Sequence, residues 1–348
     1  MLEEKSSKVN GLRQKFFGIY IIATIACILA ATIVSIAFVS VSKAKTGSAE
    51  DTPPNDTENP TTQLPSTEDH NPTPGTTAPG NTDIIPSGSV QWIPAPGIAS
   101  GSLVLVNKEY TYISENAGIF TSNDPTRVNS LQVLSVRDNR TSDTKNLQSS
   151  TNTIELSYAF TDALCKMADA MVENCGNTTR DLMVNTGYLR DIDPSSSEYH
   201  TGLSAELRMI DLNETPTRYY QLKDPDAVSS SISLWLSENC HNYGIILRYP
   251  ASKVAQTGVS ASQSQYRFVG VVHAKYMKSQ NYSLEEYVQA LKAYNYNKRL
   301  DITVDEQSYS LYYVKETDAK DKGIPVPKNV DYEISGNNMD GYIVLIKN

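Results

Sequence analysis

The chain has 348 residues, 39% of them apolar and 20% charged, with a formal net charge of −9. The charge divides into +4 over residues 1–45, −7 over 46–88 and −6 over 89–348. No stretch carries the basic patch that a nucleic-acid partner would need, which sets that class aside.

Residues 1–15 form a short tail with Lys5, Lys8, Arg13 and Lys15. Phe16 to Val41 is a run of 26 residues without a charge, rich in Ile, Ala and Val. At about 1.5 Å per residue it is ~39 Å long, enough to cross a bilayer core with some tilt. A secretory signal has a shorter apolar core, and Ser42-Lys43-Ala44 is a poor small-x-small cleavage site. A transmembrane helix over 16–41 is therefore expected, with residues 1–15 cytoplasmic and everything after it outside the cell. Residues 42–89 read as a stalk. Within it, 46–88 hold eight Pro and ten Thr and almost no large apolar side chain, too little to offset the entropy of ordering. As a flexible coil this stretch would span roughly 35–40 Å, and up to ~130 Å if mostly polyproline-like.

Order is expected from Val90 onward. Leu103-Val104-Leu105-Val106 is a short β-like run. Ile154 to Val172 carries a helical apolar stripe ending near Gly176, and Leu182-Met183-Val184 reads as a buried strand leading to Thr186-Gly187-Tyr188. Ser229 to Tyr243 is the next helix, stopped by Gly244 and followed by a strand, Ile245 to Tyr249, that Pro250 closes. Ser283-Leu284-Glu285-Glu286 is a capping box opening a helix with Leu284, Tyr287, Val288 and Leu291 on one side. The pattern then changes to period two at 300–304, 310–314 and 342–346, with a turn at 336–341. Cys165, Cys175 and Cys240 are left outside the apolar run that holds Cys27. Ten residues separate the first two, ~15 Å of helix rise, so they cannot pair within one straight helix. Either would meet Cys240 only if the fold joins them; three small buried thiols are expected.

Two stretches carry the functional reading. The first is Ser197-Glu198-Tyr199-His200-Thr201-Gly202-Leu203-Ser204-Ala205-Glu206; the second is Ser262-Gln263-Ser264-Gln265-Tyr266-Arg267-Phe268-Val269-Gly270. Together with the run from Trp235 to Pro250 between them, they resemble the zinc D,D-carboxypeptidases of the VanY type. There the first motif runs Ser-x-His-x-x-Gly-x-Ala-x-Asp, and the second runs Glu-x-Trp-His followed by Phe-Arg-Tyr-Val-Gly. The resemblance covers roughly 100–348 with a gap at 191–196. It implies an α+β fold, a small antiparallel sheet with packed helices (Hedgehog/D,D-peptidase-like), over 90–280. A helix and small β appendage follow over 281–348.

In that family the first His, the Asp and the last His hold zinc, and the Glu activates a zinc-bound water. Here the ligand positions read Tyr199, Glu206 and Gln265, and the general-base position reads Ser262. Phenol and carboxamide are poor substitutes for imidazole on zinc, and a serine hydroxyl does not take a proton from water as a carboxylate does. No metal cofactor is expected, and no catalytic residue is assigned. A family Arg that meets the substrate carboxylate has Leu189 in its place, with Arg190 one residue later. Arg190, Tyr188, Tyr199, His200 and Tyr266 are the candidate ligand-binding residues. The expected function is a membrane-anchored, extracytoplasmic, non-catalytic relative that binds peptidoglycan stem peptide or an envelope protein in a bacterial cell. The alternative is a working peptidase whose rearranged metal site holds zinc through His200 and Glu206.

Overall fold

The computed structural model describes residues 89–113, 121–122, 131–140, 146–176, 179–190 and 195–348. The expected membrane helix at 16–41 and nearly all of the stalk lie outside them. Among the described residues, no helix is long and apolar enough to cross a membrane.

In chain order the strands are β1 (Val90–Ile93), β2 (Thr121–Ser122), β3 (Val133–Ser135), β4 (Leu147–Ser149), β5 (Glu155–Ser157), β6 (Arg180–Thr186), β7 (Ser204–Asp211), β8 (Arg218–Tyr220), β9 (Ile245–Tyr249), β10 (Ser262–Phe268), β11 (Leu300–Val304), β12 (Gln307–Lys315), β13 (Ile324–Pro327), β14 (Asp331–Gly336) and β15 (Gly341–Lys347). The longer helices are α1 (Tyr158–Asn174), α2 (Ala227–Asn239), α3 (Val271–Gln280), α4 (Leu284–Leu291) and α5 (Glu316–Lys322).

The central sheet runs β4-β6-β7-β10-β9, with β8 added to β7. Every pair in it is antiparallel except β4 with β6. That edge pair departs from the purely antiparallel expectation, and α1 supplies the crossover that parallel neighbours need. Alternation along the strands sends Leu182, Val184, Leu207, Met209 and Tyr266 to one face, where they meet Phe160 and Leu164 of α1 and Ile232 and Leu236 of α2 in one core. A second sheet, β11-β12-β15-β14-β2, follows. Its strand β15 is buried from Gly341 to Ile346, as a strand covered on both faces must be. Ile343 and Leu345 face a core shared with α3 and α4, while Tyr342, Val344 and Ile346 face one closed by β13 and α5.

The helix starts differ from the sequence expectation for a local reason. Glu155–Ser157 is a strand, and Ser157 then caps α1 by accepting from Phe160 N at 3.3 Å. Asp226 does the same for α2. The capping box at Ser283 and Glu286 is present. Leu103 to Val106 is not a strand. The run is fully buried, but its polar groups bond elsewhere: Leu103 N donates to Ser335 Oγ at 2.9 Å and Leu105 N to Asn337 O at 3.1 Å. Cys165 and Cys240 are buried thiols, whereas Cys175 is only half-buried; none of the three forms a disulfide.

Candidate functional site

The two motif stretches meet on neighbouring strands. Gln265 of β10 stands opposite Glu206 of β7, Tyr266 opposite Ala205 and Arg267 opposite Ser204. Beyond Glu206 the partners separate. Met209 to Asp211 pair with β8, while Ser262 pairs with Tyr249 of β9 across a register shift. A cleft of about 850 Å3 is lined from both sides of this split, by Glu206 and Arg208 of β7, by Ser262, Ser264 and Tyr266 of β10, and by the outer face of α2. A larger opening of about 940 Å3, beside α1 and the terminal sheet, contains none of the family ligand positions.

The first motif enters the site through a 3-10 turn, Glu198–Thr201, ended by Gly202 at φ 69°. A Cβ at Gly202 would lie 2.6 Å from Val133 Cγ2, and left-handed φ disfavours one anyway. Buried charge fixes this turn. Arg248 Nε donates to Glu198 Oε1 at 2.8 Å, and the Arg248 Nη atoms donate to Glu285 of α4 at 3.0 and 2.6 Å. Arg267 Nη1 lies 3.6 Å from the same Glu198 oxygen. Arg267 Nη2 donates to the carbonyls of Ser102 and Val104 at 3.1 and 2.9 Å. The two arginines and two glutamates balance. Burial disfavours the Arg248 charge, but Glu198 and Glu285 more than offset this and raise its pKa. Burial pulls the Arg267 pKa down, and Glu198 offsets that only in part.

Two of the three family ligand positions, Glu206 and Gln265, stand side by side, and the third, Tyr199, senses the charge of Glu206. Tyr199 is half-buried; burial first, then the charges of Glu206 and Glu198, push its phenol up to about 12. Glu206 is already engaged: it accepts from Asn185 Nδ2 at 2.9 Å and Thr186 Oγ1 at 3.1 Å, and Arg208 Nη2 lies 3.4 Å from its other oxygen. Gln265 Nε2 is 3.4 Å from Ser204 Oγ. Ser262 Oγ is 3.3 Å from Ser264 Oγ and accepts from Ser264 N at 3.3 Å.

A zinc ion does not fit this set. It would need three deprotonated or imidazole donors. The site offers a phenol that stays protonated, a carboxamide and a carboxylate committed to three donors. Among the described residues, no group of three His, Cys, Asp or Glu gathers anywhere.

The remaining candidates divide. His200 is buried, with no hydrogen bond to Nε2, and lines a separate cavity of about 130 Å3 with Tyr188, Tyr112 and Thr201. In so tight a turn, successive side chains point in different directions, so Tyr199 serves the Glu206 side while His200 does not. The rearranged pair of His200 with Glu206 is therefore not assembled. Arg190 is exposed and forms a two-pronged pair with Glu155 of β5 at 2.6–3.0 Å. Tyr266 is fully buried, and its hydroxyl has no hydrogen-bond partner. Burial pushes its pKa well above the ordinary value. His273 Nδ1 is 2.7 Å from Tyr287 OH, inside the second core. Sequence reasoning missed Arg208. Its signal was present in the spacing: two residues after Glu206 on one strand, it shares that residue's face.

Residues 186–271 match the family model VanY: D-alanyl-D-alanine carboxypeptidase. A D-alanyl-D-alanine carboxypeptidase of Enterococcus faecium is 34% identical over 180 residues, 47% of this chain and 53% of that protein. One from Enterococcus faecalis (strain ATCC 700802 / V583) is 32% identical over 99 residues, 28% of this chain and 32% of that protein. The chain thus spans about half the length of the first of these relatives and about a third of the second. Among solved structures, the vancomycin resistance D,D-dipeptidase VanXYg, in complex with a D-Ala-D-Ala phosphinate analog, is 23% identical with a TM-score of 0.51, covering 75% of this chain and 100% of that one. That likeness establishes a common fold.

Proposed function

We infer that this chain, which is of the VanY D-alanyl-D-alanine carboxypeptidase type over residues 186–271, is a binding protein of that family and not a hydrolase. It holds a peptidoglycan stem peptide, or another D-alanyl-D-alanine-ended peptide, in the cleft between β7 and β10 without cutting it. The run 16–41 anchors it in the membrane, and the stalk carries the domain outside the cell.

One observation carries this reading: the carboxylate at a family ligand position is committed to Asn185, Thr186 and Arg208, while its neighbours are a protonated phenol and a carboxamide. Zinc in the family supplies the Lewis acid and the activated water. Here Ser262, at the general-base position, is a hydroxyl turned to Ser264. At neutral pH it accepts no proton from water. What remains is recognition: half-buried Ser262 and Ser264 line the cleft and offer hydrogen bonds to an extended peptide.

The test uses the full chain. Elemental analysis after incubation with zinc is expected to give far less than one ion per chain, and a stem pentapeptide is expected to bind in calorimetry with no release of D-alanine. Stoichiometric zinc together with EDTA-sensitive release would overturn the reading. Absence of peptide binding would remove its ligand and favour an envelope protein as the partner.

A further inference from the structure

We propose that Arg208 is the fixed cation of the cleft. It takes over the charge partnership with Glu206 that a metal has in the resembling enzymes, and it presents its outer guanidinium nitrogens to a carboxylate of the bound ligand. The identity of the ligand as a peptide rests on the function proposed above; the role of Arg208 does not.

Three observations lead there. First, Glu206 and Arg208 lie two apart on β7, so both project from one face, and both line the cleft where the sheet divides. Second, Arg208 is under-bonded. A guanidinium has five N–H donors, yet the hydrogen bond of Arg208 to the protein is one long contact, Nη2 to Glu206 at 3.4 Å. Its Nε is buried without a partner, and its side chain keeps 35% of its surface exposed. The other motif-region arginines are engaged: Arg248 by two glutamates, Arg267 by three carbonyls and Arg190 by Glu155. Third, the neutral donors Asn185 and Thr186 already hold one Glu206 oxygen. Glu206 therefore keeps its place when Arg208 turns part of its fork toward a second carboxylate.

The cleft as a whole is balanced, with Arg208 and Lys223 against Glu206 and Asp224. A bound carboxylate is therefore selected by hydrogen-bond direction more than by net field. Planar, forked donation to a carboxylate is what an arginine does best.

The experiment compares two ligands on the full chain: a stem pentapeptide ending in a free D-alanyl-D-alanine carboxylate, and the same peptide ending in a carboxamide. The wild type is expected to bind the acid at least about tenfold more tightly, the scale of one charge-assisted hydrogen bond. Arg208→Met is expected to abolish that preference, and Arg208→Lys to retain part of it. Equal binding of acid and amide by the wild type, or a preference that survives Arg208→Met, overturns the Arg208 proposal while leaving the peptide reading intact. If neither peptide binds, the peptide reading fails and Arg208 is judged separately. The 15N–1H signal of Arg208 Nε, assigned by its loss in Arg208→Lys, is followed during titration with N-acetyl-D-alanine. A saturable shift supports the carboxylate site, and an unmoved signal overturns it. The same titration decides the matter in the wild type if Arg208→Met does not fold.

Discussion

Glu198 is not a ligand position in the first motif, yet three segments close on it: β9 through Arg248, β10 through Arg267, and the buried 102–104 run through the carbonyls that Arg267 binds. Both of its partners are fully buried, and so is its own side chain. Removing one member of such a group leaves uncompensated charge in a low-dielectric interior. Glu198→Gln is expected to lower the unfolding free energy by about 3–5 kcal/mol, read from urea denaturation. An unchanged midpoint would show that the arginines find other counter-charges. His200, two residues on in the same turn, is the opposite case: a buried imidazole nitrogen without a partner, which contributes no hydrogen bond to stability. From the sequence, both looked like members of a metal motif. Neighbours in a string of letters do not reveal which way a 3-10 turn points each side chain, nor which glutamate will be buried against two arginines.

At the scale of elements, local signals were reliable where one residue could satisfy them. The apolar stripe of α1, the capping box of α4 and the Gly stop after Tyr243 all form as the spacing predicts. The 103–106 run failed because its apolar pattern reports burial, and burial alone does not choose between a ladder strand and a chain bonded to side chains. The cap of α2 gives a pH prediction. Asp226 accepts from Ser229 Oγ at 2.6 Å and Ser229 N at 3.0 Å, and pairs with Arg180 at 2.9 Å. The Ser229 hydroxyl above all, with the Ser229 backbone N–H and Arg180, holds its carboxyl at about 2 against the opposing effect of burial. An unfolded Asp titrates near 3.9. Its folded pKa is depressed, so its contribution is fully present above about pH 4 and is lost as pH falls toward about 2. Asp226→Ala is expected to cost about 1–2 kcal/mol at neutral pH. The gap to wild type is expected to close between about pH 4 and 2 in denaturation curves taken across that range. A gap independent of pH would mean that packing, not the carboxylate, is what the variant loses.

For the molecule as a whole, the two larger sheets are not independent bodies. Leu103, Leu105, Val269 and Val272 share one core with Leu311, Ile343 and Leu345 of the terminal sheet, so the region expected to be an appendage packs against the end of the second motif, the helix after it and the buried 103–106 run. Full-length protein is expected to sediment with membranes and to come off only with detergent, whereas a chain lacking residues 1–41 is expected in the soluble fraction. Recovery of the full chain without detergent would remove the anchor.

The pairing of Val90–Ile93 with Ile324–Pro327 has a mechanical side. Tension arriving along the backbone from before Val90, such as drag on a tethered protein, meets that four-residue clasp first. The clasp belongs to neither larger sheet. It can peel away as a fuse does while β7 and β10 stay paired in the central sheet.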